Sequence, residues 1–370
     1  MQIVEFTPGT LRFLDTVPPQ APEGGFVWIY LDREDLAEAL PALQSACFRL
    51  GGSSLLDLHL RDLESATHPS QYDYTSVYDL VIFRRLATPE EVDHELGKGS
   101  GRDGPAPDGL ASFYRIRTRA VGFVVYDRLL VTVHPRGCFT SRSFISRYLS
   151  DAVQSDGLAA AANRSRLPTS PSDLMLRMVN VMVDSYLELR RQLSTELDRW
   201  QHELLRPGSD YRNWSALMIA RRELHTLEDL CEEQNDAMQE WLDTAREQPP
   251  PGLSQAERDG LIARARDVIE HIQRVVHQVR RMEQGAESVV QIHFSAQSNR
   301  TNNIMRTLTA LTAIFLPLNL MTGIFGMNFS SMPLLHDPLG FWAAILFMVA
   351  VAGLLGLVFW RKHYLARSGR

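Results

Sequence analysis

A chain of 370 residues has room for two or three folding units, and its formal net charge of −6 gives no sign of a nucleic-acid-binding surface. Its 3 cysteines, Cys47, Cys138 and Cys231, are far apart and form no CxxC pair. That argues against a disulfide framework and a zinc–cysteine site, and it suits a reducing compartment.

Residues 1–165 read as a mixed α/β unit. Phe26–Leu31 (FVWIYL) follows Gly24-Gly25 as a strand, and Asp35–Leu50 carries apolar residues at helical spacing. Tyr74–Leu86, Phe113–Ile116, Ala120–Tyr126 and Arg128–His134 are rich in β-formers, with Asp127 placed to turn the last two into a hairpin. Gly97–Gly109 (GKGSGRDGPAPDG) is a Gly/Pro-rich surface loop, and it lacks the GKS/T signature of a phosphate-binding loop.

Residues 166–303 are helical. Ser170-Pro171 supplies an N-cap and first-turn pair, and an amphipathic helix runs from Leu174 to about Leu205, where Pro207-Gly208 stops it. A second helix covers about Trp214–Arg246, ending before Pro249-Pro250-Pro251-Gly252. Ser254-Gln255-Ala256-Glu257 has the capping-box pattern, and no breaker follows until Pro317. A continuous helix from Ser254 to Phe325 would be on the order of 105 Å long, a stalk that runs unbroken into a membrane. Charges such as Arg221, Glu228, Glu232 and Asp267 read as a solvated face or as helix–helix pairs. His271, His277 and His293 lack the spacing of three or four that puts two metal ligands on one helix face. No HExxH, GxSxG or Ser/His/Asp grouping supports an enzyme.

Residues 304–370 form a membrane unit: a first span over 304–325, an outer loop over 326–339, a second span over 340–360 and a basic tail over 361–370. A helix of about 21 residues matches the hydrocarbon thickness of a bilayer. The second span is free of charge, whereas the first carries Thr307, Thr309, Thr312, Asn319 and Thr322. Arg300 and Arg306 flank one end of the pair, and Arg361, Lys362, Arg367 and Arg370 flank the other; the loop between holds only Asp337. The positive-inside rule therefore puts both termini in the cytoplasm, and the N-terminus has no apolar signal segment.

Steps of three and four along the first span collect Asn302, Met305, Leu308 or Thr309, Thr312, Leu316, Asn319 and Gly323 on one stripe. Such a stripe lines a pore or packs as a tight helix–helix seam. Two helices cannot enclose a water-filled path, so a pore requires several copies of the chain.

Gly326-Met327-Asn328 at the end of the first of two C-terminal spans, after a very long helix, resembles the CorA family of divalent-cation transporters. The likeness is densest over Gln291–Pro333, including Phe315-Leu316-Pro317-Leu318 and Thr322–Phe329. The resemblance implies an α/β/α cytoplasmic domain, a stalk helix, two transmembrane helices and a funnel-shaped homopentamer in the inner membrane. It also implies a pore lined by the stripe, with Met305, Leu308 and Leu316 as apolar constrictions and Gly326, Met327 and Asn328 as the selecting mouth.

The expected cargo is a largely hydrated Mg2+, with Co2+ or Ni2+ as further candidates and Zn2+ as the cargo of a sister branch. Amide oxygens of Asn328 and Asn319 would meet the cation's water shell. No resident cofactor, no nucleic acid and no partner beyond lipid, the cation and further copies of the chain are expected. The alternative is a non-conducting scaffold of the same fold. Two departures stand out: Leu334 follows Met332-Pro333 where relatives commonly have Glu, and Gln291 stands where relatives often have a stalk acid. The second departure implies weak closure by cytoplasmic Mg2+.

Overall fold

The computed structural model describes residues 1–8, 10–88, 91–92, 113, 116–137, 167–204, 214–249, 252–327 and 339–362. Contacts divide the chain into two compact units, Met1–Glu287 and Ser288–Arg370. The expected boundary near residue 165, Gly97–Gly109 and Cys138 lie outside the described residues.

The first unit is built on a seven-stranded sheet of order β2-β1-β3-β7-β6-β5-β4. Its strands are β1 (Gln2–Thr7), β2 (Thr10–Leu14), β3 (Phe26–Asp32), β4 (Gln71–Tyr74), β5 (Asp79–Leu86), β6 (Thr118–Val125) and β7 (Leu129–His134). The β3–β7 pair is parallel and every other pair antiparallel. The expected β3 forms as a buried run, as a central strand covered on both faces must. The Asp127 hairpin closes with the Tyr126 amide donating to the Leu129 carbonyl at 2.8 Å. The β-rich stretch Tyr74–Leu86 is a strand only over Asp79–Leu86, because Thr75–Tyr78 turns back on itself after β4: the Thr75 amide donates to the Tyr78 carbonyl at 2.9 Å. Phe113 and Ile116, expected in a strand, lie outside every strand of the described residues.

One face of the sheet is covered by α1 (Leu36–Ala46) and α2 (Asp57–Glu64), whose Leu36, Leu43, Leu60 and Leu63 join Val27, Ile29, Val131 and Val133 in one buried cluster. The other face meets α3 (Pro171–Leu204) and α4 (Trp214–Glu247). Tyr186 of α3 donates to the Arg84 carbonyl at 2.7 Å, and Gln234 of α4 donates to the same carbonyl at 2.6 Å. Both side chains are buried, so these bonds fix how the helices lie on β5. This is the expected α/β/α arrangement.

The helix punctuation follows the sequence. Ser170 Oγ accepts from the Asp173 amide at 3.1 Å and α3 begins at Pro171. The capping box forms in both directions: the Ser254 amide donates to Glu257 Oε2 at 2.9 Å, and the Glu257 amide donates to Ser254 Oγ at 3.3 Å. From that cap α5 runs without interruption over Gln255–Phe325, 71 residues and about 105 Å. The last helix, α6, spans Gly340–Arg361.

Candidate cation pathway

The C-terminal part of α5 and the whole of α6 are long and apolar enough to cross a membrane. Along α5 the less exposed residues are Ala310, Ala313, Ile314, Pro317, Leu318, Met321 and Phe325. Along α6 the half-covered positions recur at Ala344, Ile345, Met348, Val351, Ala352, Leu355, Gly356 and Phe359. Both sets repeat at three and four, the pattern of two helices packed along one seam.

The predicted stripe is a different face. Asn302, Met305, Leu308, Thr309, Thr312, Leu316, Asn319 and Gly323 are all exposed. At about 100° per residue, Thr312, Leu316, Asn319 and Gly323 fall within about 60° of one another, roughly opposite the covered face. A Cβ added to Gly323 would meet nothing within 4 Å, so that position is open to a neighbour. The stripe is therefore not the seam within the chain.

Its polar groups differ in what they still need. Thr309 and Thr312 donate back to the Met305 and Leu308 carbonyls at 2.8 and 2.9 Å, which satisfies each hydroxyl proton inside the helix. Among the described residues no hydrogen bond involves the Asn319 amide. Leaving such an amide in hydrocarbon costs on the order of 4–8 kcal/mol, so Asn319 requires water or another copy of the chain. The stripe offers neither carboxylate, histidine nor thiolate. It can hydrogen-bond to a hydrated cation but supplies no inner-sphere site for a soft metal.

At its outer end α5 closes on itself: the Gly326 amide donates to the Thr322 carbonyl at 2.9 Å, and the Met327 amide to the Ile324 carbonyl at 3.2 Å. A Cβ on Gly326 would lie 3.0 Å from the Thr322 carbonyl oxygen, tighter than a side chain normally tolerates. Glycine at 326 is thus part of how the helix ends. Met327 is exposed there; Asn328 and residues 329–338 lie outside the described residues.

The CorA-like Mg2+ transporter protein family matches residues 23–362, nearly the whole chain. The chain belongs to that family. Among its relatives, the cobalt/magnesium transport protein CorA of Thermotoga maritima is 26% identical over 207 residues, 55% of this chain and 56% of the relative. The protein of the same name from Methanocaldococcus jannaschii is 23% identical over 255 residues, 68% of this chain and 73% of the relative. The complete structure of the CorA magnesium transporter from M. jannaschii superposes with a TM-score of 0.71 at 18% identity, covering 100% of this chain and 98% of that one. The full-length CmaX protein superposes at 0.61, again at 18% identity, over 97% and 96% of the two chains. At these identities the structural likeness is one of fold, and it extends over all the elements described above. As a member of the CorA-like family the chain is a membrane protein, with the C-terminal part of α5 and α6 as its candidate spans, and it is not an enzyme.

Proposed function

We propose that the chain is a divalent-cation channel of the inner membrane, with both termini cytoplasmic, that assembles as a homopentamer and passes hydrated Mg2+ along the α5 stripe. The observation that carries this reading is the uncovered face itself. A single chain packs the opposite side of α5 and leaves Thr312, Leu316, Asn319 and Gly323 outward, with the Asn319 amide unpaired. Copies arranged around an axis would turn that face inward and repeat Asn319 as a polar ring. Asn328, three residues beyond the end of the helix, would set a second ring at the outer mouth. Amide oxygens accept hydrogen bonds from a cation's bound waters and do not demand that Mg2+ shed them. The family description and the names of the relatives support Mg2+ as the cargo, and the absence of soft ligands from the stripe agrees.

The test combines particle mass with uptake in cells. Native mass in detergent is expected to show five chains; a stable monomer or dimer as the main species contradicts the assembly. Asn328→Leu is expected to abolish Mg2+ uptake with unchanged expression and particle mass, whereas Ser331→Leu in the same loop changes it little. If Asn328→Leu transports at the parental rate and Asn319→Leu does not, the selecting ring lies within the membrane instead.

A further inference from the structure

The cytoplasmic unit holds a second constellation, remote in sequence from the stripe. α4 and α5 run past one another in opposite directions, and charged side chains bridge them. Arg221 of α4 lies 4.0 Å from Glu287 of α5, and Arg280 of α5 contacts Glu228 Oε1 at 2.5 Å and also Glu232. Opposite charges meet at both places. Besides its pair with Arg280, Glu228 of α4 also faces a like charge, Glu283 of α5. Their carboxylate oxygens and a ring nitrogen of His225 all lie within 4.8 Å of one another. The Glu228 side chain is only 14% exposed, which limits how far it can swing away.

The geometry points to a first-row transition-metal site, taking Zn2+, Co2+ or Ni2+, formed by His225, Glu228 and Glu283 and clasping α4 to α5 within one chain. One imidazole and two carboxylates are a nitrogen–oxygen donor set of the kind that binds Zn2+, whereas Mg2+ prefers oxygen ligands and keeps its waters. Three donors at Zn2+ bonding distance stand about 3.4 Å apart, so small side-chain rotations close the set from its present spacing. His225 and Glu228 are three residues apart on one helix face, and Glu283 completes the set from the other helix. The metal would bridge the two facing carboxylates and cross-link the helices, with Glu228 also held by Arg280. The site does not depend on the pore reading, because occupancy is measured without flux.

The experiment is calorimetric titration of the full-length protein in detergent with ZnCl2, and separately with MgCl2, together with X-ray absorption of the bound zinc. We expect one Zn2+ per chain that a hundredfold excess of Mg2+ does not displace, in a shell of one imidazole and otherwise oxygen. His225→Ala and Glu283→Gln are each expected to weaken it at least tenfold, whereas Glu287→Gln, in the adjacent ion pair, leaves it unchanged. His225 is 64% exposed, so its replacement does not threaten the fold. A Zn2+ isotherm unmoved by both variants, equal competition by Mg2+, or a sulfur-containing shell would each overturn the assignment.

Discussion

At the scale of single residues, Asp79 shows how the sheet domain holds a charge it would be more stable without. Burial pushes its carboxyl up to about 6, with the Asp127 carboxylate adding to the effect, while hydrogen bonding from Tyr72 offsets part of it. Tyr72 donates to Asp79 Oδ1 at 3.3 Å. A carboxyl whose folded pKa exceeds its unfolded value of about 4 binds its proton more tightly in the folded state. Its contribution to stability is therefore present at about pH 4 and is lost as the pH rises through about 6. Asp79→Asn keeps an acceptor for Tyr72 and removes the ionisation. Thermal unfolding should show it more stable than the parent at pH 7.5, by on the order of 1–3 kcal/mol, and no more stable at pH 4. An equal gain at both pH values would mean that ionisation of Asp79 is not the cause.

Among the elements, two glycines mark where an added Cβ would collide with a neighbour. A Cβ on Gly25 would stand 2.0 Å from the Phe6 carbonyl oxygen, and a Cβ on Gly122 would stand 2.1 Å from Leu63 Cδ2. The obstacle is main chain in the first case and the tip of a flexible side chain in the second. Gly25→Ala must therefore push β1 away from β3, while Gly122→Ala only tilts Leu63 of α2. We expect about 1 kcal/mol of destabilisation for Gly122→Ala and about 3 kcal/mol or more for Gly25→Ala by chemical denaturation. The reverse order would contradict the placement of β1.

Strands β1 and β2 are the elements least legible in the sequence. They are short and lie at one side of the sheet, and β2 has no fully buried residue, so little apolar alternation announces it. The eight-residue α2 is likewise too brief for a helical period to stand out. By contrast, α3, α4 and α5 begin at Ser170-Pro171, after Pro207-Gly208 and at the Ser254 capping box, and their signals are local. The stripe was legible as a set of residues, but whether it was pore or seam was not, because Gly, Thr and Asn suit both. Burial along α5 and α6 assigned the seam within the chain to the opposite face. The His225–Glu228–Glu283 set was hidden for a different reason. Its third member comes from another helix, and only the antiparallel register of α4 and α5 brings it in.

For the whole molecule, family membership rests on a match running from residue 23 to residue 362, so the sheet unit and the apolar C-terminal helices belong to it together. The proposal is that this chain alone makes a path for cations. The most direct measurement is entry of Mg2+ into sealed lipid vesicles containing only this protein, with no nucleotide and no proton gradient, read by an entrapped indicator. The account predicts Mg2+ entry well above that of empty vesicles, driven by the cation's own gradient and lost in Asn328→Leu. Vesicles carrying correctly assembled protein that admit no more Mg2+ than empty ones would contradict it and leave a non-conducting scaffold; entry of Zn2+ but not Mg2+ would contradict the choice of cargo.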